Sequence, residues 1–214
     1  MRQAAGLLRN WDGRLSTDSS AASILAWTRP ALWELLLEPR LGKDLAGTYT
    51  WAEKNFAQEE IVMHARPEWL PQGYKNWDEL LVAAVRRGLD NGKAPGDLSH
   101  WPYGSWHVVE LTHPVAAKLP LVGRMANTGP YPLSGDGTTV KQVSHSFGPS
   151  QRFIMDWNNI DGSTENIVLG ESGNPLSPWY RDQWNDYYNG RTFAMPFTAP
   201  AVAAQTQHTL QLLP

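Results

Sequence analysis

A chain of 214 residues with 18 Lys and Arg against 21 Asp and Glu has a formal net charge of -3, which speaks against a nucleic-acid binder with a dedicated basic face. It holds no run of about 18 apolar residues that would cross a membrane, and Met1-Arg2-Gln3 does not lead into the apolar core of a secretory signal. The absence of cysteine removes disulfides, thiolate nucleophiles and Cys-based zinc sites together, and leaves the compartment open.

The length suits one large domain or two small ones. A short helical lead and a Trp11-Asp12-Gly13 turn fill residues 1–18, and Ser19 or Ser20 offers an N-cap for a long helix reaching about Glu38. Ile24, Trp27, Ala31, Leu32, Leu35 and Leu36 recur at helical spacing along it. Pro30 removes the bond to the Ala26 carbonyl and should kink or split that helix, while Pro39 and Gly42 should end it. A weaker helix is expected over 52–65, stopped by Pro67. Asn76 with Glu79 predicts a capped helix over Trp77–Leu89, its apolar face made by Leu80, Leu81, Ala84, Val85 and Leu89, and closed by Asn91-Gly92.

From Trp101 the pattern changes to strands. Trp106–Leu111 reads as one, residues 112–134 as an irregular connection rich in Pro and Gly, and Gly135-Asp136-Gly137 as a hairpin turn into a strand over Val140–Phe147. Arg152–Trp157 and Asn166–Leu169 complete an antiparallel meander. Then Gly170 and Gly173 offer positive φ, Pro175 and Pro178 fix φ, and Ser177 caps a helix over about Trp179–Tyr188. Thr209–Leu212 alternates as a last strand. Residues 1–98 are thus mainly helical and 99–214 mainly strands, an α+β pattern in which a helical segment precedes an antiparallel sheet with a C-terminal helix.

Chemistry-bearing motifs are sparse. His107 and His113 lack the further ligands that a zinc site needs. Ser172, in Gly170-Glu171-Ser172-Gly173, has its second glycine one residue too early for a nucleophile elbow, although Asp182 and His208 could in principle complete a triad for an unrelated serine hydrolase. Gly135-Asp136-Gly137 lacks the Lys-Ser/Thr ending of a phosphate loop. The 11 tryptophans suit cores and interfaces and leave open a free-standing module that grips a sugar or a partner.

One family resemblance runs nearly from end to end. Gly170-Glu171-Ser172-Gly173-Asn174-Pro175-Leu176-Ser177-Pro178-Trp179-Tyr180-Arg181-Asp182-Gln183 resembles the C-terminal signature of the penicillin acylase family, a group of N-terminal-nucleophile hydrolases. Gly148–Asp156 resembles its Gly-Pro-Ser-x-Arg-x-Val-x-Asp strand, Gly135–Val140 its Gly-Asp-Gly-x-Thr-Val turn, and Asn189-Gly190-Arg191 through Pro196-Phe197 the exit that follows. Leu8-Arg9-Asn10-Trp11-Asp12-Gly13 resembles the family's Leu-x-x-Trp-Asp-Gly lead into its last helical segment.

The resemblance implies a four-layer αββα sandwich of which this chain is the C-terminal portion, from an amidohydrolase that splits acyl amides and is periplasmic or secreted. In that family a Ser, Thr or Cys exposed by self-cleavage attacks the amide with its own α-amino group as base, which a pKa near 8 makes feasible. Here Met1 is followed by Arg2, a residue too large for easy removal of the initiator Met, and by no such nucleophile. Trp157-Asn158-Asn159 is similar to the run that carries the family's oxyanion Asn but lies in the wrong register, after the Gly148–Asp156 strand. The nucleophile, the cleavage junction and the calcium loops are expected upstream of residue 1. The expectation is therefore no catalytic, cofactor or metal residue in this chain, a scaffold role, inactivity alone, and the missing catalytic portion of the same enzyme as partner. A truncated or split reading frame accounts for such a chain.

Overall fold

The computed structural model describes residues 1–49 and 54–213. They fall into two compact units, Met1–Leu111 with Thr128–Phe147, and Thr112–Asn127 with Gly148–Pro214. Helices come first and short antiparallel strands follow, the α+β arrangement that the pattern predicts.

The first unit is built on α1 (Arg2–Arg9), α2 (Ser20–Gly47), α3 (Lys54–Met63) and α4 (Trp77–Asn91). Ser19 caps α2 by accepting the Ala22 N–H at 3.1 Å. Neither Pro30 nor Pro39 stops that helix; Gly42 does, at φ 75° and ψ 160°, and a second helical stretch follows to Gly47. Packing explains the difference. An interior proline costs about 3 kcal/mol, whereas each fully buried leucine is worth about 1.5–3 kcal/mol. Leu32, Leu35, Leu36 and Leu37 are all buried in one core with Ile61 of α3 and Leu80 and Ala84 of α4. Beside Pro39, the Arg40 guanidinium donates to the Leu36 carbonyl at 2.9 Å and supplies a bond in that turn.

The helix expected over 52–65 forms as α3, with residues 52 and 53 lying outside those described. Helix α4 starts as predicted: Asn76 Oδ1 accepts the Glu79 N–H and Glu79 Oε2 accepts the Lys75 N–H, both at 2.9 Å. Its crossing with α2 is close. A Cβ added at Gly88 would lie 2.7 Å from the Trp27 carbonyl oxygen.

Strand β1 (Val108–Leu111) is shorter than the predicted Trp106–Leu111 and pairs antiparallel with β2 (Thr128–Pro132). Trp106 and His107 are held instead by the 3₁₀ turn at Tyr103–Ser105, whose Tyr103 carbonyl accepts their N–H groups at 3.4 and 2.9 Å, while the Trp106 indole N–H donates to Ser23 Oγ at 2.9 Å and His107 Nδ1 meets the Leu133 carbonyl at 2.8 Å. The stretch expected to be irregular over 112–134 holds both β2 and a helix, α5 (Pro120–Ala126). Two prolines in five residues hid β2, and they are tolerated because it pairs on one side only. The predicted strand Val140–Phe147 does not form. Asp136 Oδ1 instead accepts from the Thr138 N–H and hydroxyl at 2.7 Å, and the Asp136 carbonyl accepts from the Val143 N–H at 3.0 Å, which winds the chain into a loop.

The second unit contains β3 (Gln151–Ile154), β4 (Thr164–Ile167) and β5 (Phe193–Ala194) in one antiparallel sheet of that order. Two of its strands are those expected, trimmed at their ends or shifted by two residues, and the third comes from the exit segment. The row Phe153–Glu165–Phe193 crosses all three. The predicted helix Trp179–Tyr188 is reduced to α6 (Trp184–Tyr188), since residues before it are held in turns. Thr209–Leu212 is exposed and forms no strand among the described residues. A helix that the sequence reading missed, α7 (Ala199–Gln205), precedes it with proline in its first turn.

Candidate functional site

A side-chain hydrogen-bond network of the second unit occupies the corner at 170–183, between β4 and α6. Gly170 and Gly173 do not adopt the positive φ anticipated for them. Gly170 is required for another reason: a Cβ there would run into the Trp179 carbonyl oxygen and the Asp182 carboxylate. Each polar residue of the corner closes a small turn. Ser172 Oγ accepts the Asn174 N–H at 3.1 Å, Asn174 Oδ1 accepts the Leu176 N–H at 3.0 Å, and Ser177 Oγ accepts the Trp179 N–H at 3.2 Å. Ser177 thus caps a turn and no helix. Gln183 ties the corner to β4 by accepting the Ile167 N–H at 2.9 Å and donating its own N–H to the Leu169 carbonyl at 2.8 Å.

Residues 113–127 grip the corner from the other side. His113 Nδ1 accepts the N–H groups of Val115 and Ala116 at 3.1 and 3.0 Å, so the ring proton sits on Nε2 and is donated to the Gly173 carbonyl at 3.1 Å. The buried Tyr180 phenol donates to the Ala126 carbonyl at 2.6 Å, and the Arg181 guanidinium donates to the Asn127 carbonyl at 3.1 Å. No local signal announces these partners, which lie 54 to 60 residues away in sequence.

Ser172 is thus engaged as a turn acceptor, and among the described residues neither Asp182 nor His208 hydrogen-bonds to it. His107 and His113 serve separate backbone carbonyls, and the described residues contain no group of three or more His, Asp or Glu placed to hold a metal. The Trp157-Asn158-Asn159 run lies in an Asx turn begun by Asp156, whose Oδ1 accepts the N–H groups of Asn158 and Asn159 at 2.9 and 3.2 Å. Asp161 holds the start of α7. Its carboxylate accepts the N–H and hydroxyl of Thr198 and the N–H of Phe197, bonds that keep its pKa below the usual carboxylate range.

In the first unit the two turn motifs meet. Gly135 donates its N–H to the Leu15 carbonyl at 2.9 Å, and the Tyr103 phenol donates to the Gly135 carbonyl at 3.0 Å. Burial, reinforced by the Asp136 carboxylate against the opposing Arg29, pushes that phenol up in pKa, so it remains a donor at any physiological pH. Arg29 bridges Glu59 at 2.8 Å and Asp136 at 3.4 Å. A cavity of about 320 Å³ opens between Trp11, Gly13, Arg29, Thr138 and Thr139, where Arg29 and both threonine hydroxyls are already bonded to Asp136. These networks fix backbone.

The chain resembles known sequences over nearly its whole length. The profile described as Penicillin amidase matches residues 1–204. The chain is similar to the penicillin acylase 2 proenzyme of Pseudomonas sp. (strain SE83), 27% identical over 220 residues that cover 95% of this chain and 28% of that protein. It is similar also to the acyl-homoserine lactone acylase QuiP of Pseudomonas syringae pv. tomato, 26% identical over 226 residues covering 91% of this chain and 26% of QuiP. The QuiP of Pseudomonas fluorescens (strain Pf0-1) matches at 27% identity over 225 residues, 91% of this chain and 25% of its own length. The chain spans about a quarter of the length of these relatives.

Proposed function

Because the chain belongs to the penicillin amidase family, we propose that it is the C-terminal portion of an amidohydrolase that splits an acyl amide into a carboxylic acid and an amine. Within that enzyme it acts as scaffold: its helices and strands complete an αββα sandwich and brace the acyl pocket, while the attacking residue and its base come from the rest of the polypeptide. The single observation that carries this reading is the extent of the match, 95% of this chain against 28% of its relative. The engagement of Ser172, Asn158 and Asn159 in local turns supports the absence of catalytic groups among them.

The test is turnover of a chromogenic phenylacetyl amide by the purified chain. None is expected above background. Sustained turnover, lost on substitution of any residue of this chain's own cavities, would overturn the reading.

A further inference from the structure

We propose that the cavity lined by both stretches of α2, by Lys54 at the start of α3 and by the C-terminal part of α4 is a binding site for an amphipathic organic anion, a carboxylate carried on an apolar body. The cavity measures about 580 Å³, a size that takes a small organic molecule. Pro30, Trp33 and Ala46 give it an apolar wall. Among the described lining residues, the charges decide the ligand class. The acidic groups, Glu34 and Glu38, are already answered, because Arg87 Nη1 lies 3.6 Å from one carboxylate and 3.1 Å from the other. Asn91 donates to Glu34 as well, at 3.5 Å.

Lys43 and Lys54 stand differently. They line the same cavity, and among the described residues neither ammonium has an ion pair or a hydrogen bond. A lysine without a counter-charge beside apolar surface favours a ligand that brings a negative group together with carbon to cover that surface. A ligand ammonium would find its carboxylates taken, and an anion with no apolar body would forgo the Trp33 wall. The inference rests on these side chains and not on the amide-hydrolase reading.

The probe is para-trifluoromethylbenzoate, followed by fluorine NMR with the full chain, with the neutral para-trifluoromethylbenzamide as comparison. Two surface ammonium groups predict an affinity for the acid about tenfold above that for the amide, lost in the Lys43→Met/Lys54→Met double variant. Isotope-labelled lysine in the unaltered chain adds a readout that needs no substitution: the ε-methylene signals of Lys43 and Lys54 should move as the acid is added. Equal binding of acid and amide would overturn the proposal. So would undiminished acid binding by a double variant that melts like the parent, or lysine signals that stay in place.

Discussion

Asp97 shows how much one exposed side chain can organise. Its carboxylate accepts from the Ser99 hydroxyl and N–H and from the Gln3 amide, which fastens α1 to the 3₁₀ turn at Leu98–His100. Those bonds, the Ser99 hydroxyl first, hold its pKa down to about 2. A carboxylate whose folded pKa is depressed stabilises the fold above its unfolded value, about 3.9, and loses that contribution as pH falls toward the folded value. The Asp97 carboxyl is therefore expected to titrate near 2 by NMR, and thermal melts of Asp97→Asn should lack part of the parent's acid sensitivity between about pH 4 and 2. Tyr180→Phe leaves the buried Ala126 carbonyl without its donor and should lower stability by about 1–3 kcal/mol, read by denaturant unfolding. Ser172→Ala removes only a turn bond, at a cost of about 1 kcal/mol. A fluorophosphonate probe should leave Ser172 unlabelled.

The helices of the first unit meet through small residues and long-range leucine packing. At Gly88 helix propensity and packing pull in opposite directions: alanine gains about 1 kcal/mol as a helix former, but overpacking costs about 1–3 kcal/mol. The obstacle at 2.7 Å is the Trp27 backbone, which cannot swing away as a side-chain end could, so Gly88→Ala should be destabilised on balance. Equilibrium unfolding gives the sign directly. Gly42→Ala meets open space but must hold φ 75° and ψ 160°, a conformation that costs an L residue about 1–3 kcal/mol. The two substitutions separate steric contact from backbone strain. The capped start of α4 was legible because Asn76 and Glu79 sit within four residues of their bonding partners. The extension of α2 past Pro39 was not, because the leucines that outweigh the proline draw their worth from Ile61, Leu80 and Ala84.

The chain as a whole exposes large apolar side chains in both units. Met63 of the first is 81% exposed, and Trp157 and Leu176 of the second are 84% and 81% exposed. Surfaces of this kind are covered in larger assemblies, which agrees with relatives about four times as long, of which this chain covers 28% in one case. In the proposed scaffold role these surfaces face the remaining polypeptide. The chain alone should bind a dye such as ANS, and its complex with the catalytic portion should bind less. Equal dye binding by the two would count against that pairing.

Local chemistry was enough for the α+β order, the Ser19 and Asn76 caps and the family motifs, since each depends on residues a few positions apart. Partner choice was beyond it. Val140–Phe147 follows a turn signal yet is wound into a loop by Asp136 and keeps a single backbone bond to β1, from the Glu110 N–H to the His145 carbonyl at 2.8 Å, whereas Thr128–Pro132, with its two prolines, becomes a strand by pairing with β1. The corner at 170–183 reads as a turn from its Gly, Pro and Asn content, but its clamp by His113, Tyr180 and Arg181 arises from chain segments brought together by folding. A hydrogen bond within a turn is encoded by spacing; one across 60 residues exists only after the backbone has closed the distance.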